Sequence, residues 1–219
     1  MKKTLLYTCL CLLVYPFCYY AGGPAVSWNY RYGYTNDDWL RYVAQNTDGT
    51  YLIGGFSQSP SGGDISGFNR GGYDYWIIKV DATGTKIWDK RYGGGADDKL
   101  RALAATSDGG YILGGYSNSN GSAMSPGEKK QPRVGPAGTT DYWVIKINAI
   151  GDTLWTRTFG GTRNDNLEVI KQTSDGGYLL QGWSNSDVSG SKSDNNRDPM
   201  GWLTGSYDLW IVKFRCIRQ

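Results

Sequence analysis

The stretches Asp74-Tyr-Trp-Ile-Ile-Lys-Val80, Asp141-Tyr-Trp-Val-Ile-Lys-Ile147 and Asp208-Leu-Trp-Ile-Val-Lys-Phe214 decide the fold, because each begins 67 residues after the last. Two further blocks keep step with them. The first is Trp28 to Tyr32 (WNYRY), Trp88 to Tyr92 (WDKRY) and Trp155 to Phe159 (WTRTF), followed by glycines and then by Asp37-Asp38, Asp97-Asp98 and Asn164-Asp165. The second is Thr47-Asp48-Gly49, Thr106-Ser107-Asp108-Gly109 and Thr173-Ser174-Asp175-Gly176. A constant period of this size marks a solenoid, a propeller or an array.

Each period reads as four short strands. Leu100 to Thr106 is a strand of small residues, Asp108-Gly109 signals a tight hairpin with two residues at positive φ, and Tyr111 to Ser117 is the return strand. A long polar loop leads to Tyr142 to Ile147, a turn at Asn148 to Gly151, and a strand carrying Trp155, Arg157 and Phe159. No apolar pattern of period 3.6 persists beyond the first residues, so the expected fold is all-β. Four-stranded repeats with tryptophans at fixed places predict three β-propeller-type blades. Six of the nine tryptophans (28, 76, 88, 143, 155, 210) hold the two repeated positions and are expected as inter-blade core.

Composition narrows the chemistry. The chain of 219 residues has no histidine, which excludes Ser-His-Asp and Cys-His nucleophile systems and every histidine-bearing metal site. Glycine, 32 residues, is about twice the usual ~7 per cent. Met1-Lys2-Lys3 followed by the apolar Thr4 to Phe17 reads as a signal peptide over residues 1–21, too short for the ~20 residues of a membrane span. Residues 22–219 are then the repeat domain, placed in a secreted or cell-envelope setting. Lipidation at Cys18 is the alternative anchor. Cleavage after Ala21 leaves Cys216 as the one mature cysteine, so the exported protein holds together by packing, without an internal disulfide. The net charge of +3 falls to about +1 without the leader, and the charges are interspersed, which argues against nucleic acid as a partner.

The joint pattern from Trp28 to Phe214 resembles the bacterial β-propeller repeats of secreted and cell-surface proteins, common in Bacteroidota. That resemblance implies a propeller in an envelope or extracellular setting and brings no catalytic residues with it. Larger members have more repeats and often a carboxy-terminal sorting domain, whereas this sequence stops after three units at Phe214-Arg-Cys-Ile-Arg-Gln219. Asp81-Ala-Thr-Gly84 leading to Trp88 is more weakly similar to the tryptophan-docking repeats of quinoprotein dehydrogenases. The register it implies makes Trp28 the start of an outermost fourth strand and ends the chain on a third strand, Asp208 to Phe214. Three blades are fewer than the usual 4 to 8 of a closed ring. The expectation is an open arc, or half of a homodimeric six-bladed ring in which Asp208 to Phe214 pairs with Trp28 to Tyr32 of a partner chain.

Strand alternation puts the short turns on one face and the long loops, Gln58 to Tyr73, Asn118 to Thr140 and Asn185 to Tyr207, on the other. Loops of that length are functional or disordered. Their candidate ligand-facing residues are Trp202, Asn195, Arg197, Lys129 and Arg133. Asp37, Asp38, Asp97, Asp98 and Asp165 beside glycines are candidate ligands for calcium, a hard cation that takes oxygen donors, or else caps of backbone N–H groups. Because these acids recur once per repeat, they read as scaffold and not as a catalytic pair. The expected function is therefore non-enzymatic, without a cofactor: binding of a protein or polysaccharide at the cell surface through the long-loop face. A carbohydrate-binding lectin and a carboxylate-dependent hydrolase are the alternatives.

Overall fold

Runs of β-branched and aromatic residues separated by Asp-Gly or Thr-Gly turns form eleven strands in the computed structural model, which describes residues 25–121, 128–197 and 206–215. Segment 1–21, Cys216 and Trp202 lie outside the described residues. The first sheet holds β1 (Asp38–Gln45), β2 (Tyr51–Ser57), β3 (Asp74–Val80) and β4 (Lys86–Tyr92). The second holds β5 (Asp98–Ala105), β6 (Tyr111–Ser117), β7 (Asp141–Ile147) and β8 (Thr153–Phe159). The third holds β9 (Asp165–Gln172), β10 (Tyr178–Ser184) and β11 (Asp208–Phe214). Every pairing between these strands is antiparallel and joins sequence neighbours, the meander of a propeller blade. The chain is all-β, with no helix among the described residues.

The third blade holds three strands beside the four of the others, as the register that ends the chain on a third strand implied. One expectation changes. Trp28 to Tyr32 forms no strand, because no sheet edge of its own lies beside it. The hairpins also differ from the expected geometry. Gly109 has a φ of 79° while no non-glycine residue among the described residues has positive φ, so Thr106 to Gly109 is an ordinary turn, closed by Gly109 N–H donating to Thr106 O at 3.0 Å, with glycine in the left-handed position. The turn aspartates Asp48, Asp108 and Asp175 each pair with the repeated lysine of the third strand, Lys79, Lys146 and Lys213, at 3.8, 3.0 and 2.7 Å. This contact explains why lysine interrupts an otherwise apolar strand.

Successive blades pack face to face. Leu100 of β5 lies against Gly54 of β2, and Leu167 of β9 against Gly114 of β6. A Cβ at Gly54 or Gly114 would meet those leucines at 2.8 and 2.9 Å, so glycine is what lets the sheets approach. Tyr75 donates its hydroxyl to Trp143 O of the next blade, and Tyr142 to Trp210 O, both at 3.0 Å. The same pairs bring ring centroids to 4.9 and 4.7 Å. Consequently β7, with a blade on either side, is buried at every position, whereas β11 alternates because one of its faces has no following blade. Of the six repeated tryptophans, Trp76 and Trp143 are fully buried as expected, Trp88, Trp155 and Trp210 are partly buried against the core, and Trp28 is exposed.

The position of a leucine in this stack, more than its identity, sets its worth. Leu100→Ala is expected to cost about 2–5 kcal/mol, whereas Leu40→Ala at the equivalent but 37 % exposed position in β1 costs under about 1 kcal/mol, measured by urea unfolding.

Candidate functional site

At the long-loop end every blade builds the same cradle. The strand-ending serines Ser57, Ser117 and Ser184 accept a hydrogen bond from the backbone N–H of Ser59, Ser119 and Ser186 two residues on. Those second serines donate their hydroxyls to Asp38, Asp98 and Asp165 at 3.1, 2.8 and 2.9 Å. The same carboxylate oxygens accept backbone N–H groups from Tyr34, Gly94 and Gly161 at 2.8, 2.6 and 2.7 Å. A second set opens the third strands: Asp74, Asp141 and Asp208 accept the N–H of Arg70, Val134 and Arg197 at 3.0, 2.6 and 2.6 Å. These aspartates therefore fix the loops that leave each blade. Gly93 and Gly160 are required by close approach, since a Cβ there would lie 1.8 and 1.9 Å from Oδ1 of Asp74 and Asp141.

The candidate acidic residues do not converge. Asp37 accepts the hydroxyl of Tyr73 at 3.2 Å, Asp97 accepts the N–H of Tyr73 at 3.1 Å and pairs with Lys99, and Asp38, Asp98 and Asp165 each serve their own blade. Among the described residues no three His, Cys, Asp or Glu side chains are grouped to hold a metal. The cation beside each cradle is instead a side chain of the protein. In the first blade Arg91 donates to Ser59 O at 2.6 Å and Ser57 O at 2.8 Å and lies 3.4 Å from Asp74, both side chains fully buried. In the second blade the β8 residue equivalent to Arg91 is Thr158, whose hydroxyl has no partner. There Lys129 comes from the loop to donate to Ser119 O at 3.1 Å. In the third, Lys192 donates to Ser186 O. The first and third loops carry equivalent bridges, Gly62 with Ile65 and Ser189 with Lys192, so isoleucine stands in the loop where the strand supplies the cation.

This arrangement corrects part of the ligand-facing set. Lys129 is completely buried and bonded to Ser119 O and Gln131 O, which withdraws it from any ligand. Arg133 is half-buried and donates to the carbonyls of Asn118 and Pro136. Asn195 caps Val188 N–H at 3.1 Å, and Arg197 lies in the loop beside Asp208. Among the described residues, each long loop presents an exposed apolar side chain, Phe68, Val134 and Val188, and the third also exposes Tyr207 at its end. Phe68 is covered on one side by the Arg70 guanidinium at 5.0 Å. Sequence reading missed Asp74, Asp141, Asp208 and the cation substitution, although the recurrence of Ser-x-Ser and of the strand-opening aspartate was its visible signal.

Burial pushes Asp74 up to about 6 and Asp98 and Asp141 up to about 7, because a desolvated carboxylate resists ionisation. Their second oxygens lack a donor, as do those of Asp38 and Asp165. Burial likewise pulls Lys129 down to about 8. The exposed turn carboxylates lie on the other side of the ordinary value: the hydroxyl of Thr50 lowers Asp48, Lys213 lowers Asp175, and Asp108 drops to about 2 despite some desolvation, through Thr106 and Lys146.

No known family model matches the chain. Among curated proteins it is similar to the Regulatory protein FlaEY of Caulobacter vibrioides, with 27 % identity over 178 residues, 80 % of this chain and 18 % of that protein. The chain thus spans less than a fifth of that relative's length.

Two measurements check the cradle. Between about pH 4 and 7 the native state holds protons on Asp74, Asp98 and Asp141 that the unfolded chain has released, so stability falls as pH rises through that window. The depressed turn carboxylates contribute stability that is lost only as pH drops below about 4. The melting temperature is therefore expected to peak near pH 4–5, and Asp98→Asn, which keeps an acceptor for Gly94 and Ser119, should flatten the fall toward pH 7. Separately, Lys129→Met leaves Ser119 O buried without its donor and should cost about 1–3 kcal/mol. Adding Thr158→Arg, which copies Arg91, should recover most of that loss in denaturant titrations.

Proposed function

We propose that the chain is an exported, non-enzymatic β-propeller-repeat protein of the bacterial secreted and cell-surface type, which binds a protein partner at the cell surface through its long-loop face. The observation that carries this reading is the display of Phe68, Val134 and Val188, one from each long loop and all exposed, on loops anchored by the buried aspartate cradles. A side chain held on an ordered loop loses little further entropy when it is covered, and apolar groups with a polar surround are what protein interfaces use. The carboxylates beneath the face are engaged by serine hydroxyls and backbone N–H groups, which supports scaffold use over acid–base chemistry. The positive charge beside each cradle comes from Arg91, Lys129 or Lys192, so the reading invokes no calcium.

The test compares the protein with the triple variant Phe68→Ser, Val134→Ser, Val188→Ser, which removes no cradle contact. Both are exposed to fractionated cell-envelope proteins and to a glycan array. Retention of an envelope protein by the parent, reduced at least about tenfold in the variant, is the expected outcome. Glycan retention without protein retention would replace this reading with the lectin, and protein retention indifferent to the three substitutions would overturn the assigned face.

A further inference from the structure

Two parts of the molecule are incomplete in complementary ways. The first is Trp28 to Tyr32. Although it is no strand here, it lies on the first blade as β4 lies on the second. Tyr32 donates its hydroxyl to Gly84 O, as Tyr92 donates to Gly151 O at 2.6 Å. Trp28 sits edge-on to Tyr51 with centroids 6.2 Å apart, as Trp155 sits on the equivalent Tyr178 at 5.7 Å. The turn glycines Gly84 and Gly151 lie under the rings of Trp28 and Trp88 respectively. The segment is thus docked where the outer strand of a preceding blade would lie, with no other strand of such a blade beside it among the described residues.

The second is the outer edge of β11, which has no ladder partner among the described residues. Beside it opens a cavity of 440 Å³ lined by Lys192, Ser193, Asn195, Asp208 and Trp210. In the first blade the equivalent space is filled by β4. There Asp89 accepts from Ser66 Oγ at 2.6 Å and Trp76 Nε1 at 3.2 Å, and Arg91 packs on Gly67 and faces Asp74. The counterparts in the third blade are Ser193, Trp210, Asp194 and Asp208, all without the strand. Leu209 and Ile211 of β11 are 65 % and 54 % exposed, against complete burial of Tyr75 and Ile77.

We infer that the β11 edge and its cavity receive Trp28 to Tyr32 of a second copy of this chain, in the register of β3 with β4. Leu209 then lies opposite Tyr32, Trp210 opposite Arg31, and Ile211 opposite Tyr30. Asn29 takes the place of Asp89 against Ser193 and the Trp210 indole N–H. Because Lys192 already covers Ser186 O, Arg31 is left to face Asp208, as Arg91 faces Asp74. The added strand satisfies a row of backbone groups that an exposed edge leaves open. The contact joins unlike surfaces, so two copies close on each other when both ends engage, bringing six blades together, within the 4 to 8 that rings use.

One feature makes this junction looser than those inside the chain. Where β2 and β6 have Gly54 and Gly114, β10 has Gln181, and where β3 and β7 have Tyr75 and Tyr142, β11 has Leu209, which has no hydroxyl to donate. Gln181 therefore stands in the path of Leu40 and Val43 of the incoming copy, whose counterparts Leu100 and Leu103 crowd Gly54. The assembly is accordingly reversible, with an affinity that Gln181 limits.

Sedimentation or light scattering of the whole chain from nanomolar to about 100 μM tests this. The expected result is a concentration-dependent dimer. Arg31→Glu should weaken it at least about tenfold, Arg31→Glu with Asp208→Lys should restore it in part, and Gln181→Gly should tighten it. Circular dichroism and melting of each variant identify one that has merely failed to fold, and Gln181→Gly carries the test if the charge variants do so. A monomer throughout the range overturns the proposal, as does a dimer indifferent to both Arg31→Glu and Gln181→Gly. Loss of partner binding by the long-loop face would leave these outcomes unchanged, so the two readings fail separately.

Discussion

The close approach of one sheet to the next governs the rest of this structure. Leu100 against Gly54 and Leu167 against Gly114 set the spacing, and the hydroxyls of Tyr75 and Tyr142 lock it by reaching backbone carbonyls one blade on. The absence of a Cβ at these glycines lets neighbouring sheets come into close contact there, so the third strands can be apolar on both sides. The consequence is visible in β7, which has no exposed position, and in its repeat β11, which has several. The same seven-residue pattern is core in one place and surface in another because a blade follows in one case and not in the other.

The loop end answers a different constraint. Chains that leave a blade must turn sharply and find partners for backbone groups that the sheet no longer pairs. The cradles meet this with two serines, two aspartates and one cation, and the cost is a set of buried carboxylates displaced toward neutrality. Charge balance is conserved while the residue that supplies it moves: Arg91 from a strand, Lys129 and Lys192 from loops. The variable loops hang on this fixed frame, so their tips vary without disturbing the blades, the usual division between a rigid scaffold and a recognition surface.

Much of the fold was legible in the sequence because repetition reveals it: a fixed period, two tryptophan positions and an Asp-Gly turn identify blade, core and hairpin together. The third strands read from Asp74, Asp141 and Asp208 coincide with β3, β7 and β11. The site was less legible. Lys129 in a run of charged and proline residues reads as exposed, and only its approach to Ser119 O shows why it is inside. Arg91 and Lys192 are unrelated in the repeat yet do the same work, which alignment of the units conceals. Phe68, Val134 and Val188 fall at unmatched loop positions, so no periodic signal distinguishes them.

The sequence by itself determined strand, turn and core, since alternation, chirality at glycine and apolar burial are local or periodic properties. The tertiary structure alone decided which face of each blade is covered, where a cation meets a carboxylate, and that Trp28 to Tyr32 docks without becoming a strand. Those outcomes depend on which segments are brought within a few ångströms of each other. A strand needs an edge to pair with, and whether an edge is present is a property of the assembled sheets and not of five residues.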